Sequence, residues 1–349
     1  MKRRGSAAAG AAMAVMSLGV APADTLAGDL EDVGSATTTR AFERAAIFFA
    51  PDSTSSFAAA GYGIEDDGRV ATTTVLFPPL AGPHRVMARV AVHPLPQDER
   101  TVWDPWDRAG NVRLAISGLP DLEVVRFVTP YGGTAAYEVD VSHLAPLLRG
   151  EQLLRAFIDT WLHPAWEVDV SFRAVADTTY TTPSWVHPVL YEHEFSREKL
   201  PKGALVAVHV PPGLARVVME FLSTGHCTDG RDEDEFVSKA NVISVDGVVV
   251  ERFHPWRDDC RENRAINPYC RRWADGSWSS DLSRSGWCPG REVPPVEIDL
   301  TDHLRAGRHE IGFLIEDMRP RDASGHFGYW RVSAYLVGWD RPPRLWRNP

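Results

Sequence analysis

The chain has 349 residues, of which 44% are hydrophobic and 24% are charged. This composition is typical of folded globular proteins, and the length suits two domains that each bury a core of their own. The net charge of −10 opposes binding to the phosphate backbone of nucleic acids, so neutral sugars or peptides are better candidate partners.

The first 23 residues have the three parts of a secretory signal peptide. Lys2, Arg3 and Arg4 form a basic start, SAAAGAAMAVMSLGV is an apolar stretch, and APA at 21–23 is a small-residue cleavage site. The apolar stretch is too short and too rich in small residues for a convincing retained anchor. Cleavage removes three cations and no acids, which lowers the net charge from −10 to −13. We therefore expect a secreted or periplasmic protein that has no membrane association after cleavage.

Residues 24–41 are small and polar and indicate a linker. Beyond them, apolar and polar residues alternate with the period of two that is typical of strands. The alternating segments are RVMARVAV (85–92), YEVDVS (137–142), WEVDVSF (166–172), ALVAVHV (204–210), VEIDLT (296–301), HEIGFLI (309–315) and WRVSAYLV (330–337). Asp246-Gly247 between two β-branched runs predicts a hairpin. Only AFERAAIFF and SHLAPLLRGEQLL suggest short helices.

A weak internal repeat relates residues 137–159 to residues 296–317, because both run from a strand through a short turn to a second strand. A duplicated β-sandwich would produce this repeat, as would two unrelated hairpins. We predict an all-β chain of two antiparallel β-sandwich domains in tandem, residues 42–182 and 183–341, followed by a tail at 342–349.

Four cysteines lie in the second half of the chain: Cys227, Cys260, Cys270 and Cys288. An even number in an exported chain predicts two disulfides, with three possible pairings. A cysteine-only zinc site is the alternative, disfavoured because no CxxC pair occurs. A bond between Cys260 and Cys288 would stabilise the fold by about 3–4 kcal/mol and would hold a long loop rich in Arg and Trp. Long ordered loops tend to be functional.

Large aromatic and charged side chains are concentrated at residues 103–111, WDPWDRAGN. Pro105 has no backbone N–H to donate to the hydrogen bonds of a sheet, so the segment is expected to be a loop that enters the next strand. Loops at the ends of sandwiches often carry sites, and Trp faces with Asp and Arg groups suit sugar rings, hydroxyls and amides. Trp106, Asp107 and Arg108 are therefore candidate site residues. The alternative is a solvent-facing turn with a structural Asp–Arg pair.

Two further segments supply acids. FIDTWL (157–162) would place Asp159 and Trp161 on one face of a strand, although Trp161 could instead belong to the core and Asp159 could cap a turn. TGHCTDGRDEDEF (224–236) combines His226 with five acids. Runs of like charge are usually solvated, but a carboxylate in apolar surroundings has a raised pKa and could serve as a general acid or base.

Seven segments, taken together and in this order, resemble the peptide-N-glycosidase F family of secreted bacterial amidases, which remove N-glycans from asparagine. The segments are WDRAGNV (106–112), RFVTPYGG (126–133), EVDVSHLAPLL (138–148), FIDTWL (157–162), STGH (223–226), DEFVSKANVISVDG (234–247) and SGWCPG (285–290). The resemblance covers roughly residues 65–340. It implies two tandem jelly-roll β-sandwiches with the site in the cleft between them, and it implies no cofactor and no metal.

The same resemblance implies roles for individual residues. Asp107 would be the essential acid, and Arg108 would hold the first N-acetylglucosamine. Asp159 stands where the family has a Glu, and Glu235 matches the second Glu of the family, with Glu233 as a weaker match. The residues expected to contact the substrate are Arg108, Trp106, Trp161, His226, Arg284 and Trp287.

Three departures from the family are visible. Asp159 is one methylene shorter than Glu, so its carboxylate reaches about 1.5 Å less far, and a shift of that size can cost about a hundredfold in rate. The two small disulfides of the type enzyme are not reproduced. Cys227 and Cys270 are extra, and we expect them to pair with each other.

Three functions follow. The first is a monomeric amidase that acts on the side-chain amide of glycosylated Asn in N-linked glycoproteins or glycopeptides. The second is a glycan- or glycopeptide-binding protein that has lost catalysis, motivated by the short acid at Asp159. The third is a copper-dependent monooxygenase of the related sandwich fold, disfavoured because the 12 His are scattered without an HxH pair.

Overall fold

The computed structural model describes residues 36–51, 61–96, 104–227 and 234–342. The predicted signal peptide, most of the predicted linker, Trp103, Glu233 and the tail beyond residue 342 lie outside these ranges. The described part is all-β, and its helices are short 3-10 turns at Asp66–Gly68, Ser142–Leu144, Cys260–Ile266 and Ser279–Asp281. None of these helices is long and apolar enough to cross a membrane.

Eighteen strands are found in the described ranges. Those of the first half are β1 (Thr37–Ile47), β2 (Gly63–Glu65), β3 (Val70–Phe77), β4 (His84–Pro94), β5 (Ala109–Leu114), β6 (Leu122–Val128), β7 (Ala135–Asp140), β8 (Gly150–Ile158) and β9 (Trp166–Ala176). Those of the second half are β10 (Trp185–Phe195), β11 (Ala204–Val210), β12 (Arg216–Cys227), β13 (Asn241–Val245), β14 (Val248–Phe253), β15 (Glu292–Val293), β16 (Val296–Asp299), β17 (Gly307–Ile315) and β18 (Gly328–Trp339).

Four antiparallel sheets pack as two sandwiches, which confirms the predicted all-β class. The first sandwich pairs the order β1-β9-β4-β7 with the order β15-β6-β5-β8-β3-β2. The second pairs β10-β18-β12-β16 with β11-β17-β13-β14. Strand β15 comes from the second half but joins the first sandwich, where Glu292 lies opposite Phe127. All described residues belong to one compact unit, and the domain boundary at 182/183 stays a prediction.

The sheet that contains β12 and β18 is buried on both faces. Met219 and Leu336 belong to the core of the second sandwich, whereas Val218 and Val337 beside them belong to the core of the first. Because successive side chains of a strand point to opposite faces, this sheet forms a wall shared by both cores. The polar interface includes Arg126, whose Nη1 donates to the carbonyl of Arg331 at 2.8 Å. The two sandwiches are therefore in direct contact.

Two local predictions were wrong. The predicted linker overlaps β1, which begins at Thr37, and AFERAAIFF lies largely in β1 rather than in a helix. The strand has irregular register around Phe42, and Arg44 adopts a positive φ of 49°, so the period of two is interrupted. The hairpin at Asp246-Gly247 is confirmed, because it joins the paired strands β13 and β14.

Candidate active site

Residues 104–108 enter β5 as a loop, as predicted from Pro105. The backbone N–H of Arg108 donates to Thr129 Oγ1 at 2.9 Å, and the N–H of Thr129 donates back to the carbonyl of Arg108 at 2.8 Å. These two bonds tie the loop to the residue that follows β6. Asp107 is thereby held where the first sandwich meets residues of the second.

A single buried arginine joins the two principal acids of the site. Arg284 is 1% exposed, and its Nε donates to Glu235 Oε1 at 3.1 Å. Its Nη2 donates to Asp107 Oδ2 at 3.3 Å and to the hydroxyl of Tyr131 at 3.0 Å. Asp107 and Tyr131 come from the first half of the chain, and Glu235 and Arg284 from the second. The site is therefore built between the two halves.

The loop around Arg284 holds the guanidinium from its other sides. Nη1 donates to the carbonyl of Leu282 and Nη2 to the carbonyl of Ser279, both at 3.1 Å. The guanidinium carbon lies 4.7 Å from the ring centre of Trp287 and 5.1 Å from that of Phe236. Arg284 has no open face toward a ligand. Its hydrogen bonds go to the two acids, Tyr131 and backbone carbonyls, and its predicted contact with the sugar stays a prediction.

The long loop of residues 254–290 is fixed covalently and by its backbone. The Cys260–Cys288 disulfide is present, which confirms that part of the prediction. The backbone of Arg257 exchanges two hydrogen bonds with Arg284 at 2.8 and 2.9 Å. The N–H of Ser285 donates to the carbonyl of Glu235 at 2.9 Å, so the loop is also bonded to the backbone of the second acid.

Cys227 and Cys270 do not form the predicted second disulfide; both remain thiols. The two residues are held against different partners. The Cys227 thiol donates to Glu235 Oε2 at 3.2 Å, whereas Cys270 lies beside Arg264. The Cys227 thiol is thus a direct neighbour of a candidate catalytic acid.

Burial and nearby charges act on the titratable groups around Arg284. Burial raises the pKa of Glu235, and the nearby charge of Asp107 raises it further, although Arg284 opposes both effects. Burial acts to lower the pKa of Arg284, but Tyr131 and the two carboxylates outweigh it, so this guanidinium stays charged. Burial, followed by the charge of Asp107, also raises the pKa of Tyr131, which stays a neutral hydroxyl. The raised pKa favours the protonated form of Glu235.

Asp159 and Trp161 lie in irregular chain just after β8, which ends at Ile158, so the prediction that they share a strand was wrong. Asp159 forms ion pairs with Arg69, at 3.4 Å, and with Arg331 from β18. The guanidinium of Arg69 also lies 5.1 Å from the ring centre of Trp161. The shortened acid is thus neutralised from both sides, and Arg69 links it to Trp161.

His226 and Trp287 are buried rather than open to a ligand. The His226 ring stacks between Trp287 and Tyr329, with ring centres 5.5 Å from each. The indole N–H of Trp287 donates to the carbonyl of Gly225 at 2.8 Å. Burial, aided by three nearby arginines, holds the pKa of His226 well below its usual value, so the ring is neutral. His226 and Trp287 are therefore internal, and Trp287 packs against the guanidinium of Arg284.

Trp106 and Trp161 are open to solvent, at 52% and 57% exposure. The structure therefore divides the predicted set. Asp107 and Glu235 meet at Arg284, and the side chain of Arg108 is 14% exposed, about as buried as those two acids. Trp106 and Trp161 are the exposed members of the set, and Asp159 is paired with other arginines.

Four contributors were not predicted: Asp104, Tyr131, Arg69 and Arg331. Asp104 and Tyr131 stand inside the quoted motifs WDPWDR and TPY, which was the available signal. No pattern marks Arg69 or Arg331, since a lone Arg beside an alternating strand resembles any exposed cation. Among the described residues, one cluster has three potential metal ligands, namely Asp259, Cys260 and Cys288. The two sulfurs of this cluster are bonded to each other in the Cys260–Cys288 disulfide.

The fold and site define a tandem β-sandwich protein with an Arg-bridged pair of acids between its two halves. The family model described as peptide-N-glycosidase F, C terminal, matches residues 191–337. The peptide-N(4)-(N-acetyl-beta-D-glucosaminyl)asparagine amidase F of Elizabethkingia miricola is 23% identical over 258 residues, which are 69% of this chain and 71% of that protein. These matches make the chain similar to the peptide-N-glycosidase F family and support a divergent relationship to it.

Solved structures agree in fold. The structure of PNGF-II matches with a TM-score of 0.77 and 25% identity over 90% of this chain, which spans 66% of that longer protein. The structure of PNGase F, a glycosylasparaginase from Flavobacterium meningosepticum, matches with a TM-score of 0.70 and 19% identity, covering 89% of this chain and 98% of that one.

Proposed function

We propose that the chain is an amidase that hydrolyses the side-chain amide of glycosylated asparagine, releasing the N-glycan as a glycosylamine and leaving aspartate. The observation that carries this proposal is the buried guanidinium of Arg284, which bridges Asp107 and Glu235 across the two halves. The family supplies the substrate class, because the relative from E. miricola is named for this amidase activity.

The two acids have complementary tasks in this reaction. A carboxyl whose environment raises its pKa is suited to donate a proton, which leaves the other acid of the pair to accept one. Asp107 takes a proton from a water molecule as its oxygen attacks the amide carbon. Glu235, whose pKa is raised, gives its proton to the nitrogen of the glycosylamine as the C–N bond breaks. Arg284 stabilises the carboxylate form of whichever acid is ionised.

Two exposed tryptophans and the partly open Arg108 supply the sugar contacts. Trp106 and Trp161 offer flat apolar faces that suit sugar rings, and Arg108 offers donors for hydroxyl or acetamido groups. Asp159 takes a positioning role in this proposal, because both of its ion pairs are internal and one of them orients Arg69 against Trp161.

The same pairing of Asp159 favours a second candidate, a glycan-binding protein without turnover. An acid held by two arginines is unavailable to a substrate, and its counterpart in the family was expected to take part in catalysis. Glycopeptide binding without release of the glycan would identify this second function.

We further infer that the protein is exported and acts as a monomer on N-linked glycoproteins or glycopeptides. The signal-peptide pattern of residues 1–23 and the Cys260–Cys288 disulfide support export, since structural disulfides persist in oxidising compartments. Mass spectrometry of the protein recovered outside the cell would test it. A first residue at Asp24 is expected, and a chain retained with Met1 would contradict the inference.

The amidase proposal is tested with an N-glycopeptide incubated in ¹⁸O-labelled water. Hydrolysis of the amide places one labelled oxygen in the new aspartate and releases a glycosylamine with its nitrogen attached. A free reducing glycan released directly, with the asparagine left carrying a sugar, would indicate a glycosidase and would refute the proposed reaction.

A further inference from the structure

Asp104 is buried in a loop that otherwise reaches the surface. Its exposure is 0%, whereas Trp106, two residues later, is 52% exposed. A buried carboxylate without partners would be costly, so the groups around Asp104 decide what it does. This residue is not among the acids whose roles the family resemblance implied.

Five donors surround the carboxylate of Asp104. Oδ1 accepts from Nη2 of Arg108 at 3.1 Å and from the backbone N–H of Trp106 at 3.2 Å. Oδ2 accepts from Nε of Arg108 at 2.9 Å, from the hydroxyl of Thr160 at 3.2 Å and from the indole N–H of Trp166 at 3.3 Å. The carboxylate thus connects its own loop to the chain after β8 and to the start of β9.

The bond to Arg108 is bidentate, and this determines where the rest of that guanidinium points. The side chain of Arg108 is 14% exposed, so part of it is open to a ligand. Nε and Nη2 are directed at Asp104, and Nη1 has no hydrogen-bond partner among the residues that the structure describes. A planar fork held along one edge presents its other edge in a single direction.

We propose that Asp104 is a positioning residue, which fixes the guanidinium of Arg108 so that Nη1 faces the sugar next to the scissile amide. This inference rests on the proposed amidase function for the identity of the ligand. Asp104 itself contacts no substrate atom in this account. Its effect on the reaction passes through Arg108.

The variant Asp104→Asn isolates this role, because it keeps the shape and removes the charge. The amide NH2 must replace either Oδ1 or Oδ2, and each choice sets a donor against one Arg108 nitrogen and at least one further donor. We expect KM for an N-glycopeptide to rise about tenfold or more, as for the loss of a charge-assisted contact, while kcat stays within about threefold.

A merely structural role would give a different pattern. Loss of folded protein lowers the concentration of active sites, which reduces the apparent kcat and leaves KM unchanged. Asp177→Asn is the matched control, since that carboxylate pairs with Arg85 at 3.1 Å and shares no partner with Asp104. It is expected to lower the melting temperature without changing KM. In an Arg108→Lys background, adding Asp104→Asn should raise KM by less than twofold, because the fork is already lost.

A second readout does not depend on activity. In protein labelled with ¹⁵N-arginine, the Nε–H signal of Arg108, assigned by its loss in Arg108→Lys, should exchange slowly in the parent and disappear in Asp104→Asn. A protected Nε–H signal in Asp104→Asn, or a fall in kcat with unchanged KM, would overturn the proposal. If the parent turns over no glycopeptide, the amidase function fails, and the Nε–H signal alone decides whether Asp104 positions Arg108.

Discussion

Arg284→Lys is the perturbation that bears most on the organisation of the site. The side chain is 1% exposed and donates to Glu235, Asp107 and Tyr131 and to two backbone carbonyls. Lysine keeps the charge, but its compact ammonium cannot bridge both acids as the planar fork does. One acid is then left buried without its partner.

The magnitude follows from these contacts. Breaking a buried ion pair on one side costs about 3–5 kcal/mol, which corresponds to a fall of roughly 6–10 °C in melting temperature at about 2 °C per kcal/mol. Misplacing Asp107 by about 1 Å should lower kcat/KM by about a hundredfold or more. Differential scanning calorimetry and glycopeptide turnover measure the two effects in the same preparation.

Arg257→Lys is the matched control. Arg257 pairs through its side chain with the partly exposed Asp259, so the substitution should cost no more than about 1 kcal/mol. Adding Asp107→Asn and Glu235→Gln to Arg284→Met should restore part of the stability that Arg284→Met loses, because neutral groups need no cation. An Arg284→Lys variant with the parent's melting temperature and kcat/KM would refute the bridging role.

Three further predictions concern other parts of the molecule. Burial, with a smaller effect from Glu297 opposite it, raises the pKa of Glu220 from 4.5 to about 8. Because the carboxyl ionises at a lower pH in the unfolded state than in the folded state, the free energy of unfolding falls as the pH rises from about 4.5 to 8. Glu220→Gln should remove up to about 4–5 kcal/mol of this fall, and identical pH profiles of urea unfolding for parent and variant would contradict it. The double variant Cys260→Ala/Cys288→Ala should lose about 3–4 kcal/mol, and an unchanged denaturation midpoint would be inconsistent with a stabilising disulfide. Trp161→Ala should raise KM for glycopeptide severalfold with little change in melting temperature, because the ring is 57% exposed; parent-like KM would exclude it as a sugar contact.

The strands and turns with strong local signals were predictable. Asp246-Gly247 predicted a hairpin because this pair favours the positive φ angles of a tight turn. Both residues adopt them, at 51° and 81°. By contrast, β1 was missed because its irregular register interrupts the alternation around Phe42. The sheet of β12 and β18 also gave no sign that its second face is buried, since that burial depends on contact with the other sandwich.

The acids of the site were identified from their motifs, but the contacts that organise them were not. Arg284 was predicted from its motif, but its burial and its bridge between the two acids were not, because local sequence does not specify which side of a loop turns inward. Arg331 reaches Asp159 from a strand 172 positions away, a pairing that only the assembled sandwiches create. Asp104 illustrates the same limit, because its burial depends on Thr160 and Trp166 closing over it.

The central claim is that Asp107, bridged to Glu235 by Arg284, performs amide hydrolysis on N-glycosylated asparagine. Its most direct test is mass spectrometry of one N-glycopeptide after incubation with the parent or with Asp107→Asn. The melting temperatures of the two proteins are measured alongside, to show that both are folded. We predict that the parent converts the glycosylated Asn to Asp and that the variant does not. Conversion by Asp107→Asn above a few per cent of the parent, or no conversion by the parent of either high-mannose or complex glycopeptides, would contradict this account.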